Sequence, residues 1–148
     1  MNMECLMSRD VIVVGGGPAG MMAAIAAAES GAAVRLLEPN ERLGKKLNIT
    51  GKGRCNLTND CGFEEFFENV PCNGRFLYSA YAQFDSVCVK EFFSDEGVPL
   101  KVERGNRVFP VSDRAFDVSG ALEKRMKRLG VRVIRDRAEA LMFQDGCL

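Results

Sequence analysis

The clearest hydrophobic signal lies near the start of the chain. Residues 11–14 (VIVV) form a short apolar run, rich in β-branched side chains, with no polar position inside it. Such a run predicts a strand buried on both faces, as in a parallel sheet. A glycine-rich turn follows, then an alanine-rich stretch that predicts a helix. Pro18 suits its first turn and Gly31 closes it as the C′ residue. Residues 33–37 (AVRLL) predict a second strand with Glu38 at its end, and Pro39-Asn40 reads as a turn. Further on, Phe76, Leu77, Ala80, Tyr81 and Phe84 fit helical spacing. A second helical segment, 86–96, ends at Gly97 and Pro99, and the aromatic stripe from 63 to 93 is expected to be core. Residues 100–103 and 107–109 flank Arg104-Gly105-Asn106 and predict a β-hairpin that Pro110 stops. Ser112 is the expected N-cap of the next helix. Ala115, Val118, Leu122, Met126 and Leu129 form its apolar face, and Gly130 closes it. Residues 131–134 predict another strand and 138–143 one more, with a turn at Asp145-Gly146. Helix, glycine, strand thus occurs twice, the alternation of an α/β domain wound around a parallel sheet.

The turn after the first strand carries chemistry. Gly15-x-Gly17-x-x-Gly20 sits between a predicted strand and a predicted helix. In that setting Gly15 permits the sharp turn, Gly17 lets a pyrophosphate approach the backbone, and Gly20 allows close helix packing. The free N–H groups and dipole of the helix N-terminus favour phosphate. Ala24, one turn after Gly20, is small on the same face. Glu38 lies 18 positions after Gly20, close to the ~20-residue spacing of the acid that binds a ribose hydroxyl. A carboxylate there repels a 2′-phosphate, which favours FAD or NAD over NADP.

Composition narrows the class. The chain has 148 residues, 47% hydrophobic and 27% charged, enough for one domain with a real core. Its 20 basic and 20 acidic residues balance, so nothing draws it as a whole to nucleic acid or to an anionic membrane. No apolar run approaches the ~20 residues of a membrane span, and the first residues lack a signal-peptide core. A cytoplasmic protein is expected. The six cysteines form no C-x-x-C pair and histidine is absent. Zinc-finger spacing and histidine-based triads are therefore excluded, no metal site is expected, and the thiols are expected to be free and mostly buried. Chemistry must come from a cofactor or from other side chains.

Two stretches are basic. Between 43 and 59 (LGKKLNITGKGRCNLTN), Lys45, Lys46, Lys52 and Arg54 fall within ten residues with no acid between them, and Gly44, Gly51 and Gly53 allow a tight backbone. Composition leaves two readings open: a loop over phosphates and the flavin edge, or a solvated basic loop. Lys52 and Arg54 beside Cys55 also leave open a lowered thiol pKa and a redox role, against a backbone-positioning role for the loop. The second stretch joins Lys124, Arg125, Lys127 and Arg128 to Arg132, Arg135 and Arg137. No aromatic residues are interleaved for base stacking, so it reads as a solvated face and no nucleic-acid partner is expected.

With these motifs in view, the chain resembles a known family. DVIVVGGGPAGMMAAIAA, LLEPNERLGKKLNITGKGRCNLTN and RVFPVSDRAFDV, which together cover residues 10–118, resemble the BaiN/YhiN-type flavoproteins. These are NAD(P)/FAD-dependent oxidoreductases with a glutathione-reductase-like FAD domain. The resemblance implies a Rossmann-like FAD-binding domain with FAD at the glycine turn. By the same implication Gly15, Gly17, Pro18, Ala19 and Gly20 hold the pyrophosphate, and Glu38, with Pro39 beside it, meets the ribose. Lys45, Lys46, Thr50, Gly51, Gly53, Arg54, Cys55, Asn56, Leu57 and Thr58 line the flavin side, and Ala138 is the candidate for the adenine. NAD(P)H enters as an electron donor.

The expected organisation is one FAD-binding domain, incomplete relative to the family. It comprises a leader (1–9), a dinucleotide-binding core with the flavin loop (10–60), a helical and hairpin excursion (61–111), and a helix with returning strands (112–148). Two and a half wound units leave sheet edges uncovered, so the chain reads as the opening part of something longer, expected to self-associate or to need a C-terminal partner. The functional expectation is hydride transfer through flavin to an unidentified small molecule. The alternatives are a non-catalytic or partner-dependent fragment and a domain that binds NAD directly.

Overall fold

The computed structural model describes residues 10–142. The proposed leader (1–9), the turn at 145–146, Cys5, Cys147 and the last residue of the 138–143 segment lie outside the described residues. In chain order the elements are β1 (Asp10–Val14), α1 (Pro18–Glu29), β2 (Ala33–Leu37), a 3-10 segment (Leu47–Gly53), β3 (Thr58–Asn59), α2 (Phe63–Glu68), a 3-10 turn (Gly74–Leu77), α3 (Tyr78–Gln83), α4 (Ser86–Asp95), β4 (Leu100–Glu103), β5 (Arg107–Pro110), α5 (Ala115–Arg128) and β6 (Arg132–Ile134). The chain divides into two compact units. One joins the described residues up to Lys45 to those from Leu122 onward, and the other is Lys46–Ala121.

The first unit is a Rossmann-like α/β layer. Its sheet is wholly parallel, in the order β1-β2-β6, with Val13 opposite Leu36 and Leu36 opposite Val133. Met21, Ala24 and Ile25 of α1 are buried together with Val34 and Leu36 of β2, and Leu122 and Met126 of α5 add to the same apolar set. Gly31 (φ +84°) closes α1 as expected. The expectation that β1 is covered on both faces does not hold. Ile12 and Val14 are 57% and 61% exposed, while Val11 and Val13 are half-buried. Alternation puts Ile12 and Val14 on the sheet face away from α1, where no described element covers them. The strand expected at 138–143 is absent from its described residues, which run as exposed irregular chain.

The second unit is built on an antiparallel sheet, β3-β5-β4. The predicted hairpin is present, with Val102 opposite Val108. Left-handed Gly105 (φ +76°) and Asn106 (φ +56°) make its turn. Pro110 does not stop β5 but forms its last, buried residue, and β3 adds to the other edge of β5 through Thr58 and Asn59. Asp85 caps α4, its Oδ1 accepting from the Val87 and Cys88 N–H groups, both at 2.9 Å. Ser112 is not the N-cap of α5. Asp113 turns left-handed (φ +55°) and the helix begins only at Ala115. Ser112 Oγ instead accepts from the Arg114 N–H within the preceding turn (3.4 Å).

The aromatic stripe is core only in part. Phe93 is buried, but Phe76 is 79% exposed, and Phe63, Tyr78 and Phe84 are also exposed. The rings of Phe63, Phe66, Phe67, Tyr78 and Tyr81 pack mainly on one another, with Tyr81 stacked on Phe66 at 4.2 Å. Helices this short, α2 and α3 at six residues each, give the rings few other apolar partners. Of the four described cysteines, only Cys55 is buried, and Cys72 is exposed.

Candidate functional site

The glycine turn is built as its spacing predicts, with one further essential position. Gly15 leaves β1 at φ +102°, a conformation that L side chains resist, and its N–H donates to the Leu37 carbonyl at 2.8 Å. Gly17 is the N-cap of α1 and Pro18 its first residue. A Cβ on Gly17 would meet nothing within 4 Å, so the space before the helix N-terminus is open. A Cβ on Gly20 would stand 1.8 Å from the Gly15 carbonyl oxygen. Gly20 is therefore required by the turn itself, more than by the distance from helix to sheet. Ala19 is exposed on the first turn of α1.

Gly16, one of the variable positions of the motif, is crowded by side chains rather than by backbone. A Cβ there would lie 2.4 Å from Leu43 Cδ2 and 3.0 Å from Glu38 Cγ. Its N–H donates to Glu38 Oε2 at 2.7 Å, and its carbonyl accepts from Gly44 at 2.8 Å. The sequence signal was the middle glycine of the Gly15-Gly16-Gly17 run, which the G-x-G-x-x-G template passes over.

Glu38 is buried (8% exposed) at the carboxyl end of β2. Its Oε1 accepts from the Asn40 N–H at 2.8 Å and from Asn40 Nδ2 at 2.5 Å. The Asn40 N–H, then the Gly16 N–H, hold its pKa below the ordinary carboxylate value, and the Arg135 charge acts in the same direction. Arg135 Nη1 donates to the Asn40 carbonyl at 2.8 Å. Pro39 is exposed in the turn that brings Asn40 back to Glu38. Asn40 and Arg135, read from sequence as a turn signal and a solvated cation, thus belong to this acid. The glycine turn, Glu38 and Arg135 all lie at the carboxyl ends of the parallel strands, where open α/β sheets bind ligands. The first unit therefore presents an open helix N-terminus, a backbone a ligand can approach and an ionised acid. This set fits a nucleoside diphosphate. Ala138 lies four residues beyond β6, exposed and in irregular chain. Lys45 is exposed at the end of this unit.

The remaining predicted residues belong to the second unit. Lys46 is exposed. The 3-10 segment kinks at Thr50 (ψ 153°), whose Oγ1 donates to the Leu47 carbonyl at 2.7 Å. Gly51 (φ +55°), Lys52 (φ +59°), Gly53 (φ +84°) and Cys55 (φ +60°) are all left-handed. For Lys52 and Cys55 this is a strained conformation, of a kind that gathers at functional sites. The Cys55 N–H donates back to the Thr50 carbonyl, and the Leu57 N–H to that of Val108. Thr58 pairs with Val108, and Asn56 is exposed. Arg54 lies over the Phe109 ring at 4.2 Å. Its guanidinium donates to Asp113 (2.8 Å) and pairs with Glu103, while Lys101 pairs with Asp113 (2.7 Å). Lys101, then Arg54, holds the Asp113 carboxyl below its usual range, and Arg54 does the same to Glu103. The Arg54 charge is thus balanced within its own unit. Cys55 is buried, and burial pushes its thiol pKa up. The lowered pKa that neighbouring cations allowed in sequence is overturned, because burial of the thiol outweighs every other influence on it.

Residues 9–144 match the HI0933-like protein Rossmann domain. The chain belongs to the HI0933-like Rossmann-domain family. This is the flavoprotein family that the motifs between 10 and 118 resemble. Within reach of that HI0933-like match, the chain is 39% identical to a 3-dehydro-bile acid delta(4,6)-reductase of Clostridium scindens, over 87% of this chain and 32% of the relative. It is 31% identical to a digeranylgeranylglycerophospholipid reductase of Methanocella arvoryzae, over 93% of the chain and 32% of the relative. A ribosomal RNA dihydrouridine synthase of Escherichia coli is 36% identical over 51% of the chain. The chain spans about a third of the length of the two reductases it matches. Among solved structures, Thermovibrio ammonificans THI4 is similar in fold (TM-score 0.57, 16% identity, 88% of this chain and 40% of that one). So is the L-amino acid deaminase of Proteus vulgaris (TM-score 0.50, 15% identity, 95% and 43%). No helix among the described residues is long and apolar enough to cross a membrane.

Proposed function

We propose that this chain is the FAD-binding part of a flavin-dependent reductase. The observation that carries the reading is the pairing of an open glycine turn with an ionised, buried Glu38 on one unit. Gly17 leaves room for a pyrophosphate, α1 offers it N–H groups and a favourable dipole, and Glu38 accepts from the ribose. Pro18, Ala19 and the Gly15 and Gly20 backbone shape that end of the helix. Flavin, when bound, supplies the hydride chemistry, and the protein holds and orients it. The loop that holds Thr50, Gly51, Gly53, Arg54, Cys55, Asn56, Leu57 and Thr58 is assigned to the flavin end, supported by its run of left-handed backbone, with Lys45 and Lys46 leading into it. In that role Arg54 is a brace for the loop, since its guanidinium already has two carboxylates. Ala138 is assigned to the adenine. The names of two relatives, both reductases, support reduction of an unsaturated acceptor as the direction, and NAD(P)H is assigned as the donor.

The test is the visible spectrum of the purified chain before and after incubation with FAD. Oxidised-flavin bands that stay with the protein through gel filtration are expected. A chain that never retains FAD, yet is protected against heat by NAD, sinks this reading in favour of a domain that binds NAD directly.

A further inference from the structure

The hydrogen bonds around Glu38 leave it less acceptor capacity than a ribose diol needs. A carboxylate offers about four lone-pair sites, two on each oxygen. Oε1 already takes the Asn40 N–H and the Asn40 side-chain amide, so it is full. Oε2 takes the Gly16 N–H, so one site is left. The acid is also buried, at 8% exposure. Asn40 is held in this arrangement from a distant part of the chain. Arg135, just past the end of β6, donates to the Asn40 carbonyl at 2.8 Å, and the Ile134 carbonyl accepts from the Glu38 N–H at 3.0 Å. Glu38, the turn after it and the exit of β6 are thereby tied together.

We propose that Asn40 and Arg135 are positioning residues that fill Oε1 of Glu38, so that the site reads one hydroxyl of the adenosine ribose through Oε2 and leaves the other unread. This rests on reading the glycine turn as a nucleoside-diphosphate site. Gly16 is part of the same device, because a side chain there would displace Glu38 or Leu43.

The test uses the full chain, FAD, and two FAD analogues lacking either the 2′- or the 3′-hydroxyl of the adenosine ribose, with affinity read from flavin fluorescence. One analogue is expected to bind as FAD does, within about twofold. The other is expected to lose about tenfold or more, the cost of a hydrogen bond to a charged acceptor. In Asn40→Ala, which frees one of the two sites on Oε1 while the backbone N–H keeps the other, both analogues should fall below FAD. Arg135→Ala should move selectivity the same way, and Arg135→Lys, which keeps a donor to the Asn40 carbonyl, should restore it. A role confined to stability would leave the ratio between the analogues unchanged. Equal losses for the two analogues in the unsubstituted chain, or no loss for either, overturn the proposal. If FAD itself does not bind, the functional reading and the ribose selectivity fail together, and the filling of Oε1 by Asn40 under the hold of Arg135 is tested separately, without ligand, by NMR. The Asn40 side-chain amide should be slow to exchange with solvent in the unsubstituted chain and fast in Arg135→Ala. An Asn40 amide that exchanges freely in both overturns it.

Discussion

Gly17 and Gly20 belong to one motif and do opposite work, so single methyl groups separate them. Gly20→Ala drives a Cβ to 1.8 Å from the Gly15 carbonyl. We expect a loss of about 2 kcal/mol or more, read as a lower midpoint in urea unfolding. Gly17→Ala meets no atom. It should stay within about 1 kcal/mol of the unsubstituted chain yet lose the rise in melting temperature that FAD produces. A Gly17→Ala chain that FAD still stabilises fully would remove the pyrophosphate from this turn. Glu38 has its own signature. Its folded pKa is depressed, so its contribution to stability is present above the ordinary carboxylate value and disappears as pH falls through the lower folded value. Glu38→Gln should flatten that part of the acid limb, and an unchanged acid limb would deny Glu38 its ionised role. Gly15, Gly17, Gly20 and Glu38 could be found by spacing alone. Gly16 could not, because the template leaves its position free. Nor could Arg54 be recognised as a brace, because Glu103 and Asp113 approach it only through the fold.

At the level of single elements, sequence reading worked where caps and periods are local. β1, α1 and β2 have their strand runs, Pro18 and Gly31 in the right places, and the hairpin β4–β5 has Gly105 and Asn106. It failed where a neighbour decides. Ser112 has the chemistry of an N-cap, but left-handed Asp113 delays α5 to Ala115. The apolar residues at 76, 77, 80 and 84 have helical period, yet the short helices there leave them exposed. The pair Thr58–Asn59 is too short to show alternation and is a strand only because β5 lies beside it. α4 gives a clean test of a local rule. Asp85→Ala removes the acceptor for two N–H groups and should cost about 1 kcal/mol. Asp85→Asn, which keeps an oxygen acceptor, should recover most of it. Equal losses in urea unfolding for the two variants would show that the cap is not what holds the helix start.

Over the molecule as a whole, three facts point to self-association. The formal net charge is zero, which removes the repulsion that keeps copies apart. β1 is an edge of its sheet among the described residues. Ile12 and Val14 on it are more than half exposed, as an apolar face suited to contact would be. Light scattering should show particle size rising with concentration, most strongly near the sequence pI of 6.3. The double substitution Ile12→Lys and Val14→Lys should suppress that rise without unfolding the chain, since neither side chain is in the core. A unit-sized particle at every concentration would show that this face makes no contact in solution.

The strand pairing of the parallel sheet also sets an order of events in time. β1 and β2 are joined through α1 alone, whereas β2 and β6 meet only after the whole Lys46–Ala121 segment has been passed. The stretch of chain to be closed is roughly four times longer for the second pairing, an extra entropic cost of about 1.2 kcal/mol for two doublings of length. Because Glu38 takes its backbone acceptor from Ile134 and Asn40 its brace from Arg135, the acid is set only when that late pairing closes. A newly made chain would therefore have its glycine turn before it has a nucleotide site. Pulse-labelled hydrogen exchange should find the β1–β2 amides protected first and the Glu38 amide last.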